Sequence, residues 1–473
     1  EEVTEWADWT YKRVLLYKEY NQQLLSQNTI DFDDIILCAH RILSGNPQVS
    51  KLYRKIYQYI LIDEAQDLNY AHYHLLKALC NDSFKNILMV GDSNQAIYGF
   101  AGANPEFMQK QFVKDFSADI KKIQHNYRSS KKVLELAGQV KQSHFPNKEN
   151  FFEGCSEFHT FQNEAEEASW IVEKIKEWVL VKGIYAESGI KIPINFSDIA
   201  VIARNRYVFS TLIQKIEEDS DLAKHFHTKF GATRFQPESK LLKIFDLGLR
   251  VVSNSYNLLH FKQIYIELRL DFESNFNSSL EALSLLNIDE KLPVFKRKEM
   301  AFLYGMWNVL DKNPSLFDKA LDDIKKFILE NDTSYSEEER LQMFYEITEY
   351  KKKWRFFLQK TSALNRNLTS FRHFLALNSV SSSKSGVTLS TVHMAKGLEY
   401  EIVFLMGLNE GTFPYYLSMR SGDKAMVEEK NNLYVAITRS KKAIYLSYPQ
   451  NKMMPWGKVK KQVPSQFLKE KFI

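Results

Sequence analysis

Cysteine is scarce in this chain. Cys38, Cys80 and Cys155 are the only three in 473 residues, they lie far apart, and none forms a Cys-x-x-Cys pair. That spacing excludes a disulfide framework and a thiolate zinc site, and it fits a reducing compartment. Long apolar runs are missing too, so no segment reads as a membrane span. Nothing reads as a signal peptide, and a cytoplasmic protein is expected. Charge of one sign is not in excess: a net +5 cannot by itself mark a nucleic-acid binder, and lysine clusters such as Lys351–Lys353 read as solvated faces. His72 and His74 are two apart in a helical pattern and point in different directions, so they are not a ligand pair. No carboxylate-lysine nuclease cluster, internal repeat or low-complexity tract is evident. Nor does the chain read Gly-x-x-x-x-Gly-Lys-Ser/Thr anywhere, the loop that cradles nucleotide phosphates.

What is present is ordinary globular composition, 44% hydrophobic and 26% charged, in a chain long enough for two or three domains. The most telling stretch is Asp63-Glu64-Ala65-Gln66-Asp67, directly after the apolar run Tyr59–Ile62. A β-branched run ending in two acids delivers carboxylates to the edge of a parallel sheet, where nucleotide sites form. The first acid, Asp63, can hold Mg²⁺ through water, and the second, Glu64, can polarise an attacking water; acids also cap helices at such places. A second strand-like run, Asn86–Val90, leads into Gly91-Asp92-Ser93-Asn94-Gln95-Ala96-Ile97-Tyr98-Gly99-Phe100-Ala101-Gly102-Ala103. Its glycines let backbone approach a phosphate, and Gln95 offers an amide that can bond both a γ-phosphate oxygen and a water.

These two segments resemble the Asp-Glu-x-Gln-Asp and Gly-Asp-x-x-Gln-x-Ile-Tyr motifs of the UvrD/Rep family of superfamily 1 helicases. The resemblance continues in order through Asn126-Tyr127-Arg128-Ser129-Ser130, Thr388–Tyr400 and Tyr434–Ser440. It covers most of the chain outside about 240–380. It implies an ATP-dependent helicase or translocase of 3′ to 5′ polarity acting on single-stranded DNA and duplex junctions, with ATP and Mg²⁺ as cofactors. By the same resemblance Glu64, Gln95, Arg128 and Arg439 are the catalytic candidates. Asp63 is the metal ligand, Tyr127 stacks on adenine, Glu399 accepts from the ribose, and Lys396 and Gly397 lie with them at the nucleotide. Tyr98, Phe100, Thr391, His393 and Phe413 are the candidate DNA contacts, with a structural histidine as the other reading of His393. Where the family commonly has Arg after the aromatic of its coupling loop, this chain has Ala101 after Phe100. Either coupling between DNA and ATP is weaker, or another cation substitutes.

The fold class expected is α/β: two RecA-like parallel-sheet core domains, the first incomplete, with a helical domain inserted in the second. The expected divisions are a helical segment over 1–50, the first core domain over 51–124, the second core domain over 125–238 and 384–473, and the helical insertion over 239–383. Strand candidates are Ile199–Ala203, Val387–Thr391, Ile402–Met406 and Ala443–Ser447, and Ser381–Gly386 is a candidate return linker. Since the family's phosphate loop precedes its Asp-Glu motif, the expectation is a fragment that is inactive by itself. The alternative is a catalytically silent DNA-binding or scaffold relative.

Overall fold

The computed structural model describes residues 14–15, 17–80, 84–123, 125–141, 152–182, 184–185, 191–229, 237–253, 258–270, 283–284, 286, 290–377 and 386–468. Trp6, Trp9, Leu16 and most of the Ser381–Gly386 segment lie outside them. The chain forms two compact units, one of 1–154 with 418–438, the other of 155–417 with 439–473.

In the first unit, β1 (Ile60–Ile62) pairs in parallel with β2 (Ile87–Met89), Leu61 opposite Leu88. Side chains alternate between the faces of a strand. Ile60, Ile62, Ile87 and Met89 accordingly pack on a core of Tyr73, Leu76, Cys80, Phe112 and Phe116. The opposite face is bare: Tyr59, Leu61 and Leu88 are 71%, 73% and 53% exposed. The helix Phe32–Gly45 starts in a capping box, with Asp34 N–H donating to Asp31 Oδ1 at 2.7 Å and Asp31 N–H donating to Asp34 Oδ2 at 3.2 Å. It buries none of its residues, and Phe32, Ile35 and Ile42 form an exposed apolar stripe.

The second unit carries β3 (Cys155–Asn163), a short pair β4 (Ile184–Tyr185) and β5 (Lys191–Ile192), then β6 (Ile199–Ala203), β7 (Phe226–Lys229), β8 (Val387–Thr391), β9 (Tyr400–Leu405), β10 (Ser440–Met453) and β11 (Val459–Lys461). Among the described residues these form a seven-stranded sheet in the order β11-β10-β9-β6-β8-β7, with β3 also on β10. Every pairing in this sheet is parallel except that of β10 with β11, and the separate β4–β5 pair is antiparallel. Central β6 is wholly buried, so its apolar run does not alternate. This mixed α/β architecture, a large parallel sheet with helices, matches the expected fold class.

The helix Glu164–Glu177 is capped by Asn163 and brings Glu167 into the interior, where its carboxylate accepts from Ser447 Oγ at 2.6 Å and from Gly407 N–H at 3.3 Å. Burial pushes the Glu167 carboxyl up to about 7, against the pull of those two donors. The folded pKa lies above the unfolded one, so the native state holds the extra proton between about pH 4.5 and 7. Stability from this group is full below that window and is lost as pH rises through it. Glu167→Gln, which keeps an acceptor, is expected to raise Tm at pH 8 and to flatten the fall in Tm between pH 5 and 8. Thermal melts across that range check it, and an unchanged slope would contradict the assignment.

From Lys240 to Leu377 the longer described elements are all helices: Lys240–Ser253, Leu258–Leu268, Val294–Lys312, Phe317–Glu330, Glu337–Lys360 and Leu368–Leu377. Trp307 is fully buried and donates its Nε1–H to Phe245 O at 3.0 Å. Its indole lies against Gly248, where an added Cβ would sit 2.0 Å from the ring. Asp246, 3% exposed, joins three helices, taking Arg250 at 2.9 Å and also Tyr350 Oη–H and Arg372 Nη1–H. The β10–β11 turn holds this bundle to the sheet: Trp456 stacks 4.3 Å from the Arg340 guanidinium, and Lys460 pairs with Glu337 and Glu338 at 2.9 and 2.7 Å.

Candidate functional site

In the first unit the ends of β1 and β2 are joined into one loop assembly. Val90 N–H donates to Ile62 O at 2.8 Å, and Ala65 N–H donates to Val90 O at 2.9 Å. Pairing thus continues past both strands and fixes Asp63 and Glu64 where the sheet stops. Glu64 adopts a left-handed backbone (φ 51), a conformation disfavoured for a side chain with a Cβ. Both acids are exposed. Asp63 Oδ1 accepts Glu64 N–H at 2.9 Å. These are hard oxygen donors on an open sheet edge, the donor type Mg²⁺ takes, so the pair fits such an ion. Among the described residues no group of three or more His, Cys, Asp or Glu is placed to hold a metal.

Asp92 organises the second loop. Its Oδ1 accepts Asn94 N–H at 2.9 Å, capping the short turn Ser93–Gln95, and its Oδ2 accepts Gln95 Nε2–H at 3.1 Å. Gln95 and the Asp-Glu pair are therefore brought into one unit, as the sequence suggests. Tyr98 is half-buried; burial, then the charges of Asp67 and Glu64, raise its phenol above the usual value. Phe100 is 76% exposed, with its ring 6.0 Å from Tyr98. A Cβ at Gly99 would stand 1.8 Å from Glu428 Oε1, so a larger residue there would require that side chain to move. The helix Asp423–Thr438 thus lies against this loop, and Asn431 Nδ2–H donates to Ala96 O at 2.8 Å.

Arg128 falls in the same compact unit as Glu64. Asn126 Oδ1 accepts both Arg128 N–H and Ser129 N–H, at 2.9 and 2.8 Å, a turn that precedes the helix Lys131–Val140 and leaves Tyr127 91% exposed. That ring offers a flat face with little competing contact.

The second unit holds the remaining candidates, divided between the two edges of its sheet. Arg439 is 2% exposed, immediately ahead of β10, and its Nη1–H donates to Leu398 O at 3.1 Å. Glu399 pairs with Lys441 at 3.1 Å, so a ribose hydroxyl would compete with that lysine. Gly397 takes φ 79, which its lack of a Cβ permits, and Lys396 lies beside it. Thr391 ends β8 level with Ala203, whereas Ile402 is level with Ile199. Tyr400, which pairs with Ser440 beside Arg439, is two residues further back, so Thr391 stands about 20 Å along the sheet from the Arg439 cluster at the strand rise per residue. Thr391 and half-buried His393 therefore belong to a different sheet edge. Phe413 is 0% exposed behind a cis bond to Pro414, so it presents no stacking face.

Sequence reasoning missed several residues. Gln66 is 1% exposed and bonds both acidic loops, although it stands inside the Asp-Glu-x-Gln-Asp motif and could have been singled out there. Asn431 carried no signal, because its partner is a backbone carbonyl. Lys141 is depressed by burial and then by Lys430, while Asp92 acts in the opposite sense. Its charge and that of Asp92 act on each other, in a chain that has alanine at position 101.

Comparison with known proteins bears on this arrangement. The UvrD-like helicase C-terminal domain model matches residues 122–451, and the UvrD/REP helicase N-terminal domain model matches residues 7–117. The chain belongs to the UvrD-like helicase family. It is 27% identical to the ATP-dependent DNA helicase PcrA of Staphylococcus aureus (strain MRSA252) over 487 aligned residues, covering 96% of this chain and 63% of that protein. Identity and coverage are the same, 27%, 96% and 63%, for the PcrA of Staphylococcus epidermidis. The chain thus spans 63% of the length of these curated relatives. Among the described residues no helix is long and apolar enough to cross a membrane.

Proposed function

We propose that this chain supplies the water-activating, charge-stabilising and DNA-gripping residues of an ATP-driven DNA translocase or helicase that moves 3′ to 5′ on single strands. The observation that carries the reading is the hydrogen-bonded union of the Asp63-Glu64 turn with the Gly91–Gln95 turn at the ends of neighbouring parallel strands. Phosphoanhydride hydrolysis asks a protein for positioning and for positive charge where negative charge gathers. Glu64 accepts the proton of the attacking water, and Gln95 donates its amide to a γ-phosphate oxygen. Arg128 and Arg439 bring the positive charge. Asp63 would hold Mg²⁺, which when bound neutralises phosphate charge. Tyr127 gives its exposed face to adenine, and Glu399, with Lys396 and Gly397 beside it, receives the ribose. Tyr98 and Phe100 receive bases of the strand, with Thr391 and His393 as further contacts. A cytoplasmic location suits this work.

Association of ATP state with DNA grip follows from the loop itself, since Gln95 and Phe100 share one short, glycine-bounded segment. The reading is tested by measuring ATP hydrolysis by the whole protein with and without single-stranded DNA. No stimulation by DNA would defeat it. Phe100→Ala is expected to weaken single-strand binding by about 1–3 kcal/mol per stacked base, more than Ala101→Arg changes it. Fluorescence anisotropy with a labelled oligonucleotide measures both. If Ala101→Arg instead raises DNA-stimulated hydrolysis, the absent guanidinium was limiting coupling.

A further inference from the structure

We infer that Gln66 is a positioning residue that locks the carboxylate of Glu64 to the backbone of the Gly91–Gln95 turn, so that the acid and the γ-phosphate sensor move as one piece. This rests on the role proposed above for Glu64. The side chain of Gln66 is 1% exposed, and both ends of its amide are used. Nε2–H donates to Glu64 Oε2 at 2.5 Å, and Oε1 accepts Asp92 N–H at 3.0 Å. Asp92 in turn accepts Gln95 Nε2–H at 3.1 Å. The result is an unbroken line of hydrogen bonds, Glu64 to Gln66 to Asp92 to Gln95, joining the end of β1 to the turn after β2.

Three features say that this line is built into the site. Gly91 leaves the room that Gln66 needs: a Cβ at Gly91 would lie 2.4 Å from Gln66 Oε1 and 3.1 Å from Ala65 N. A buried primary amide is costly unless its donor and acceptor are both satisfied, and here both are. Glu64, held at a left-handed φ of 51, has its carboxylate oriented by a neighbour that is itself immobilised. An exposed glutamate samples many rotamers, and an acid that must address one water gains from having them restricted. Gln66, being buried, acts through Glu64 and Asp92.

Two substitutions separate the two ends of the amide. Gln66→Glu keeps an acceptor for Asp92 N–H but has no N–H for Glu64, whereas Gln66→Met is apolar, of similar length, and loses both. Hydrogen exchange on the full chain is expected to speed up in the Asp92–Gln95 segment of Gln66→Met by about fivefold or more, the size of one lost hydrogen bond. In Gln66→Glu it should stay slow. In the whole protein both variants are expected to lower kcat for DNA-stimulated hydrolysis by about ten- to a hundredfold with KM for ATP little changed, the mark of misaligned chemistry with binding intact. Unchanged exchange in Gln66→Met, or wild-type kcat in Gln66→Glu, would overturn the inference. If the wild-type protein shows no DNA-stimulated hydrolysis, the functional reading fails instead. Gln66 is then judged by exchange and by its side-chain amide protons, whose protection Glu64→Ala should remove and whose indifference to that change would refute the bond.

Discussion

Glu64→Gln in the whole protein is expected to abolish DNA-stimulated ATP hydrolysis while leaving nucleotide binding intact. The amide cannot take a proton from water, and general-base catalysis of this kind contributes about 10²–10⁴-fold. Shape and length are kept, so Asp63 and the Gln66 contact remain available, although Gln66 would now face a neutral oxygen. Binding measured with a fluorescent nucleotide should change little, because the exposed carboxylate is assigned to the water and makes no other claim on the nucleotide. Turnover comparable to wild type would sink the assignment of Glu64 as base.

The second large effect is expected far from that chemistry. Asp246→Ala removes the single carboxylate that serves Arg250, Arg372 and Tyr350 inside the helical bundle. The Arg372 guanidinium is mostly buried, and the charges around it, Asp246 among them, hold its proton more tightly than usual against the cost of burial. Without the acid, two cations remain in a low-dielectric interior, and breaking a buried pair in this way typically costs about 3–5 kcal/mol. Denaturant unfolding followed by the fluorescence of buried Trp307 and Trp354 should show a lower midpoint at an unchanged slope. A midpoint within error of wild type would mean that the network is not a stabilising one. Asp246→Asn, which keeps two acceptor lone pairs, should lose less.

Those two substitutions also mark how far the sequence could be read. Runs with strong β-branched or apolar character were legible to the residue: Ile199–Ala203 and Val387–Thr391 are strands with those bounds. Ala443–Ser447 lies within the longer Ser440–Met453, and Ile402–Met406 is shifted, the strand starting at Tyr400 and ending at Leu405, because pairing with neighbours does not stop with the apolar stretch. The edge strand Cys155–Asn163 was not anticipated. Its Glu157, His159 and Thr160 are polar, and it is a strand because β10 pairs along its length. At the site, motif order located Asp63, Glu64 and Gln95, but not the hydrogen bonds that unite them. Gln66 and Asn431 act through backbone atoms and a neighbouring acid, and backbone partners leave no trace in composition. Burial was not legible either: Phe413, expected as a DNA contact, is 0% exposed, and Arg439, expected as a catalytic residue, is 2% exposed.

The bare face of the β1–β2 sheet has a practical meaning for anyone who makes this chain. Among the described residues β1 and β2 pair with no third strand, and with Leu61 and Leu88 open to water they are a template on which further strands can add. Aggregation should therefore rise steeply with concentration, and yield should depend on how quickly newly made chain is shielded. Polar replacements at those two leucines are the place to begin improving its behaviour in solution, since they point away from the core that Ile60, Ile62, Ile87 and Met89 join.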